Sequence, residues 1–325
     1  MIQHRKYIVG FDILKILMAF VIVSLHSGIS KEMGQPFAAW CLNFQNLAVP
    51  VFFVLSSYLL FDKVFASGED NAKALWRYER RLLILYLIWS VIMIPITLFL
   101  HHYQAQGLLG VLYWIKDFFF DYTFYASWFF GALLVGMPIV FSLRNHPWII
   151  VALSFILYVV FTFYAFLPQW AVSPFELYHQ YLGTPSRSFL FGIVWIGLGC
   201  VMAKWKLLSV EKQMATTKLG GVILAFGLIT SCIFKPLQFI GVLSLIWLFY
   251  TIKNSKANNK IWSFFRKCSI LIYCVHYVFI HLFWQLHIEN AFVVFLLTGA
   301  ISLTVATIVV VLSEKKHLTF LKYLY

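Results

Sequence analysis

Ten stretches of roughly 20 mostly apolar residues follow one another along the chain, over residues 8–27, 38–61, 81–100, 125–143, 147–167, 187–204, 217–233, 236–252, 268–287 and 290–312. A helix rises about 1.5 Å per residue, so runs of this length match the roughly 30 Å hydrocarbon core of a bilayer. Backbone N–H and C=O groups in that core need internal partners, and a helix supplies them within itself. The pattern therefore predicts an all-α, polytopic integral membrane protein with about ten transmembrane helices. The weakest windows are 187–204, interrupted by glycines, and the closely spaced pair flanking Lys235–Pro236. Leu108–Phe120 is aromatic but short and charged, which predicts an interfacial or re-entrant segment rather than a span.

Composition agrees with this reading. Of the 325 residues, 62% are hydrophobic and 11% charged, against about 45–50% and about 25% in soluble domains. A net charge of +13 could point to nucleic acid, but the basic residues sit in short connectors between apolar runs, which excludes a nucleic-acid face. With the N-terminus inside, 20 of the 25 Lys and Arg fall on inside segments and four outside: Lys31, Lys116, Lys235 and Arg187. This asymmetry predicts cytoplasmic N- and C-termini and an even number of spans. His4, Arg5 and Lys6 ahead of an apolar stretch imitate a signal peptide. Asp12 and Lys15 interrupt that stretch and no small-x-small cleavage site precedes Lys31, so a retained first helix is expected. A single transmembrane domain over 1–325 follows. The five cysteines lack zinc or disulfide spacing and read as small apolar residues.

Charge inside a span costs about 2.5–3.5 kcal/mol, so each such residue calls for a reason. In the first window Lys15 and His26 are eleven residues apart, which places them on one helix face, within roughly 20° and roughly 16 Å along the axis. Asp12 stands at ion-pair spacing from Lys15. One reading has Asp12 and Lys15 snorkelling at the inner mouth and His26 capping the other end. The other makes His26 a general base, a role suited to a neutral imidazole near physiological pH. Pro50 in the second window is expected to bend that helix. Ser56 and Ser57 either satisfy backbone carbonyls or touch substrate. His276 lies mid-span as a packing residue or as part of a polar cavity, and His101, His102 and His317 read as solvated. HExxH, CxxC, Walker-type and GxSxG motifs do not occur in the chain, so metalloprotease, nucleotide-hydrolase and serine-hydrolase readings lack support.

Four stretches in order resemble the acyltransferase-3 family of membrane proteins, which includes bacterial surface-glycan O-acetyltransferases. They are Phe11-Asp12-Ile13-Leu14-Lys15 through His26, Ala48 through Leu60, Ser127-Trp128-Phe129-Phe130, and Ser269 through His276. In the first, Lys15 stands where the family more often has Arg, which keeps the charge and loses the bidentate geometry. In the second, Ser57 stands where Gly is usual. The resemblance implies an acetyl-CoA-dependent O-acyltransferase in the bacterial cytoplasmic membrane. It would take an acyl group, usually acetyl, from cytoplasmic acyl-CoA to a hydroxyl of a surface glycan or lipid-linked sugar. No permanently bound cofactor or metal is implied, the partners beside acyl-CoA and acceptor are membrane lipids, and homo-oligomerisation stays open.

On that footing His26 would be the base. Lys15 with Asp12, Arg80 and Arg81 would receive the CoA phosphates, and Ser56, Ser57, Tyr58 and Arg187 are oxyanion candidates. Asp117, Asp121 and Glu176 could orient His26 or the acceptor, while Trp114, Trp128 and Trp170 stack on sugar or anchor at the interface, and His276 is a substrate-side candidate. The alternative is a transporter or flippase for a glycan or lipid intermediate, without covalent chemistry, since intramembrane charges and broken helices serve transport equally well.

Overall fold

Each of the ten apolar windows is occupied by helix, and the breaks between helices fall where the sequence removes a donor or supplies a cap. The computed structural model describes residues 8–66, 71–99, 107–207, 218–252 and 256–325. Arg5, Lys6, His101, His102, Lys212 and Lys253 lie outside the described residues. The helices are α1 Val9–Ser27, α2 Phe37–Gln45, α3 Ala48–Ala66, α4 Asn71–Ile92, α5 Ile94–Phe99, α6 Gly107–Phe120, α7 Trp128–Ser142, α8 Pro147–Phe163, α9 Gln169–Tyr181, α10 Phe189–Lys204, α11 Lys218–Ile233, α12 Gln238–Tyr250, α13 Lys256–Gln285 and α14 Ala291–Ser313. No strand occurs among the described residues.

Local chemistry sets the ends. Helix α1 stops at Gly28, whose φ of 85° suits a residue without Cβ and whose N–H is donated to the Leu25 carbonyl. This leaves His26 in the last helical turn. The Asn290 side chain caps α14 by accepting from the Val293 N–H, and Ser188 caps α10 through the Leu190 N–H. Pro147 begins α8, where a missing N–H costs nothing. The window at 81–100 is divided between α4 and α5, because Pro95 has no N–H to donate back to Val91. As expected, the span Phe37–Ala66 is interrupted next to Pro50, at Asn46–Leu47, where the proline has no N–H to donate back to Asn46. Pro50 sits in the first turn of α3, three residues past the break at Leu47, where its ring is tolerated.

Length and composition license five of these segments as membrane spans: Val9–Ser27, Phe37–Ala66, Pro147–Phe166, Asn259–Gln285 and Ala291–Ser313. Trp128–Ser142, Phe189–Lys204, Leu219–Ile233 and Lys235–Tyr250 are equally apolar but shorter, at 10–17 residues. At about 1.5 Å per residue they fall short of a full hydrocarbon core. Among the described residues, five of the ten expected windows thus meet the length and composition of a span and four are shorter apolar helices, while the window 81–100 is split between α4 and α5. Helix α6 is 14 residues long, with Leu108, Leu109, Val111 and Leu112 exposed and Asp117 and Phe118 buried. Helix α9, missed by the hydropathy windows, carries two half-polar turns and Pro174.

The chain divides into two compact units, Met1–Phe52 with Lys206–Tyr325, and Phe53–Trp205. In the first, α1 packs on α12, α13 and α14. Gly10 of α1 lies so close to α12 that a Cβ there would stand 1.6 Å from the Phe249 carbonyl oxygen. In the second, α10 packs on α7 and α8 and touches α3 through Gly199, where a Cβ would lie 2.6 Å from the Val54 oxygen. The glycines that weakened 187–204 as a span are therefore what lets α10 approach its neighbours. All five cysteines are free thiols; Cys200, Cys268 and Cys274 are buried, Cys41 and Cys232 partly so.

Candidate functional site

The first unit holds a polar seam between α1 and α13, and it has two ends. At one end, Asp12 in the first turn of α1 is 3% exposed, a position no carboxylate occupies without a partner. That partner is Arg266 of α13, whose Nη1 lies 3.4 Å from both carboxylate oxygens, while Nη2 donates to Ser263 Oγ at 3.1 Å. The sequence spacing places Lys15 near Asp12 on the same helix; Arg266 is a partner from a distant helix that the spacing does not reveal. Lys15 is half-buried on α1. Ser269 of the late motif donates its hydroxyl to the Arg266 carbonyl at 2.7 Å.

At the other end, the His26 ring stacks on the His276 ring with centroids 5.2 Å apart and planes 28° apart. The Tyr277 ring meets His26 edge-on at 5.9 Å. His276 is fully buried. Its Nδ1 lies 2.7 Å from the Tyr273 carbonyl and 3.2 Å from the Ile272 carbonyl. Carbonyl oxygens only accept, so these partners assign the proton to Nδ1 and leave a lone pair on Nε2. That Nε2 is buried and has no hydrogen-bond partner. Asp12 pairs with Arg266 and His26 with His276, so α1 and α13 run parallel. Chemically, the seam offers an imidazole in contact with a second imidazole of fixed tautomer, and an anchored guanidinium toward the opposite end.

An Asp12→Asn substitution is expected to destabilise the protein by about 1–2 kcal/mol, short of the roughly 3–5 kcal/mol for fully buried pairs, because Arg266 is 40% exposed. A detergent thermal-shift assay would read it, and an unchanged melting point would show that the pair contributes nothing.

The remaining sequence candidates lie in the second unit. Arg80 and Arg81 are exposed on α4. Ser57 is fully buried and donates to the Ile196 carbonyl at 2.5 Å, opposite Gly199. Its hydroxyl thus tethers α3 to α10, and the room that a glycine at 57 would give comes from Gly199 instead. Ser56 bonds Tyr78, and Tyr58 is buried. Trp128 starts α7 and packs on Phe53 and Phe191. Ser127 beside it accepts from the Thr123 and Phe124 N–H groups, and Tyr86 donates its Oη to Ser127 Oγ at 3.3 Å. Spacing does not reveal this buried knot. Glu176 is exposed and accepts from Gln169 at 2.7 Å, Trp170 is exposed, and Trp114 packs on Phe118.

Arg187, Tyr122, Tyr125 and Asp121 form a second polar group in that unit. The guanidinium sits 5.7 and 5.8 Å from the two tyrosine ring centres. Gly183 has a φ of 143° and lets Asp121 approach, since a Cβ there would lie 2.5 Å from Oδ2. Burial first, and the neighbouring Asp117 second, push the Asp121 carboxyl up to about 6, against the pull of Lys116 and Arg187. A raised folded-state value means that the folded protein holds this proton more tightly than the unfolded chain. Stability is therefore expected to fall as pH rises from about 4 through about 6. Asp121→Asn should flatten that part of the melting-point profile; a parallel slope in the variant would contradict the assignment.

Comparison with known proteins settles the family. The model of the acyltransferase-3 family, described as an acyltransferase domain, matches residues 8–312 and so covers both units. The chain belongs to this family. Among curated proteins it is 28% identical to an amino-acid racemase of Enterococcus faecalis over 42% of this chain and 19% of that protein. It is also 22% identical to a serine/alanine racemase of Enterococcus gallinarum over 68% of this chain and 32% of that protein. The chain thus spans at most about a third of the length of these curated relatives. No solved structure matches it.

Proposed function

We propose that this chain is a membrane-bound O-acyltransferase that moves an acyl group, acetyl first among candidates, from cytoplasmic acyl-CoA to a hydroxyl of an extracytoplasmic or lipid-linked glycan. The observation that carries the reading is the His26–His276 pair on parallel helices, within a chain whose family match covers residues 8–312. The site belongs to the bacterial cytoplasmic membrane, with both termini inside. The basic end of the seam faces the donor and the histidine end faces the acceptor. No resident cofactor or metal takes part in the proposed reaction.

In this mechanism the acceptor hydroxyl approaches His26, which removes its proton as the oxygen attacks the thioester carbonyl carbon. A carbon–oxygen bond forms and the carbon–sulfur bond breaks. The proton held by His26 then passes to the departing CoA thiolate, so His26 ends neutral. A positioned base of this kind supplies about 10²–10⁴-fold of the rate. His276 acts on His26 rather than on the substrate. Its Nδ1–H is held by two backbone carbonyls, which fixes its ring plane and so the plane of the ring stacked on it.

His276→Phe keeps the stacking surface but loses the Nδ1 anchor. It is expected to lower kcat about tenfold with the KM for acyl-CoA unchanged, and to alter the pH–rate profile, which a purely structural loss would not do. Equal kcat and an identical pH profile would remove His276 from the mechanism. The activity itself is tested by transfer of isotope-labelled acetyl from acetyl-CoA to surface glycan in membranes containing the chain. Label in the glycan fraction that disappears with His26→Gln supports the reading. Movement of intact glycan or lipid intermediate across vesicles, with no label transferred, assigns the chain to transport.

A further inference from the structure

The end of the α1–α13 seam farthest from the histidines opens into a cleft that the proton chemistry does not use. The cleft is open on the surface, with a volume of about 570 Å³, and its lining includes Lys260, Ser263, Phe264, Arg266 and Lys267 of α13 and Glu314 just beyond α14. Three cations thus stand against two carboxylates, Glu314 in the lining and Asp12 behind Arg266. Two of the cations have fixed positions. Arg266 is held through Nη1 by buried Asp12 and through Nη2 by Ser263, which orients its guanidinium. Lys267 Nζ lies 3.7 Å from Glu314 and 5.8 Å above the Tyr325 ring. A lysine that only marks the inner side of a membrane needs no such scaffold.

Building on the acyl-CoA reading above, we propose that this cleft is the phosphate site for the donor, taking the phosphates of the nucleotide end of acyl-CoA. The guanidinium N–H groups that Asp12 and Ser263 leave unused can donate to phosphate oxygens, and the two lysines add point charges. The volume lies within the roughly 300–1,000 Å³ of small-molecule sites. Phe264 offers one aromatic face to a purine. Ten residues of α13 separate Arg266 from His276, roughly 15 Å along the axis, a span comparable to an extended pantetheine arm. Phosphates bound at Arg266 would therefore deliver the thioester to His26. An anionic lipid headgroup carries the same phosphate chemistry, so the test has to separate the two sources.

The test uses the purified full chain in phosphatidylcholine nanodiscs, with CoA and 3′-dephospho-CoA binding measured by calorimetry. The wild type is compared with a Lys260→Gln/Lys267→Gln double variant and with Arg266→Lys, which keeps the charge and loses the fork. The wild type is expected to bind CoA about tenfold more tightly than the dephospho form, and the double variant within about twofold. Arg266→Lys should weaken both nucleotides by a similar factor, because its fork faces whichever phosphates remain. A tenfold preference retained in the double variant would overturn the cleft assignment and leave the acyl-CoA reading standing. No binding of either nucleotide by the wild type would overturn both. If, in parallel nanodiscs that also hold phosphatidylglycerol, the double variant loses only its retention of that lipid, with nucleotide preference intact, the cleft is a lipid site and the donor assignment fails.

Discussion

Purified His26→Gln protein is expected to release CoA from acyl-CoA about 10²–10⁴-fold more slowly than wild type, with acyl-CoA affinity within about twofold. Glutamine approximates the size and polarity of histidine but cannot carry the proton between acceptor and thiolate. His26 sits in the last turn of α1, one residue before Ser27, and is only partly buried. Glutamine at this position therefore perturbs packing little. Separate measurement of kcat and KM discriminates the outcomes. A loss confined to kcat places His26 in the chemical step. A loss confined to KM would make it a binding residue, and a wild-type rate would refute the base assignment.

The second large effect concerns folding. Gly10→Ala would put a Cβ 1.6 Å from the Phe249 carbonyl oxygen and 2.5 Å from its carbon, a collision with the backbone of α12 rather than with a mobile side chain. Either α1 or α12 has to move by more than an ångström, which costs about 3 kcal/mol or more, the upper part of the range for overpacked interiors. It would also disturb Asp12 and Lys15, which follow Gly10 on the same helix. The expected result is a clearly lower melting temperature in detergent and a reduced monodisperse fraction on size-exclusion chromatography. Gly221→Ala is the control. A Cβ there meets nothing within 4 Å, and alanine favours the helix by about 1 kcal/mol. Equal melting points for the two variants would show that the α1–α12 contact is looser than described.

What the sequence made legible follows from the range of its signals. Hydropathy is local, so all ten apolar windows contain helix, and Gly28, Pro95, Pro147, Ser188 and Asn290 mark ends through their own backbone chemistry. The window method failed where the signal was mixed, at half-polar α9, and where apolar character outran length, at the shorter helices. The site was half legible. His26 and Lys15 share a helix face by arithmetic alone. The partners of this helix lie about 250 positions away: Arg266 is 254 residues from Asp12, and His276 stacks on His26 from the same distant helix. A single sequence carries no trace of such pairing. Arg266, Lys260 and Lys267 looked like topology markers because a basic residue at an inner mouth has that use in any membrane protein. Only the buried carboxylate behind Arg266 distinguishes it. Ser57 was an oxyanion candidate on its residue type, and its hydroxyl is engaged in tethering α3 to α10.

The most direct test of the central claim is the time course of free thiol released when the purified wild-type chain, in neutral-lipid nanodiscs, is mixed with acetyl-CoA. The account predicts thiol release above the buffer rate, faster on adding a glycan hydroxyl acceptor. No release with or without acceptor, together with no acetyl-CoA binding by calorimetry, would contradict it and move the chain to the transport reading.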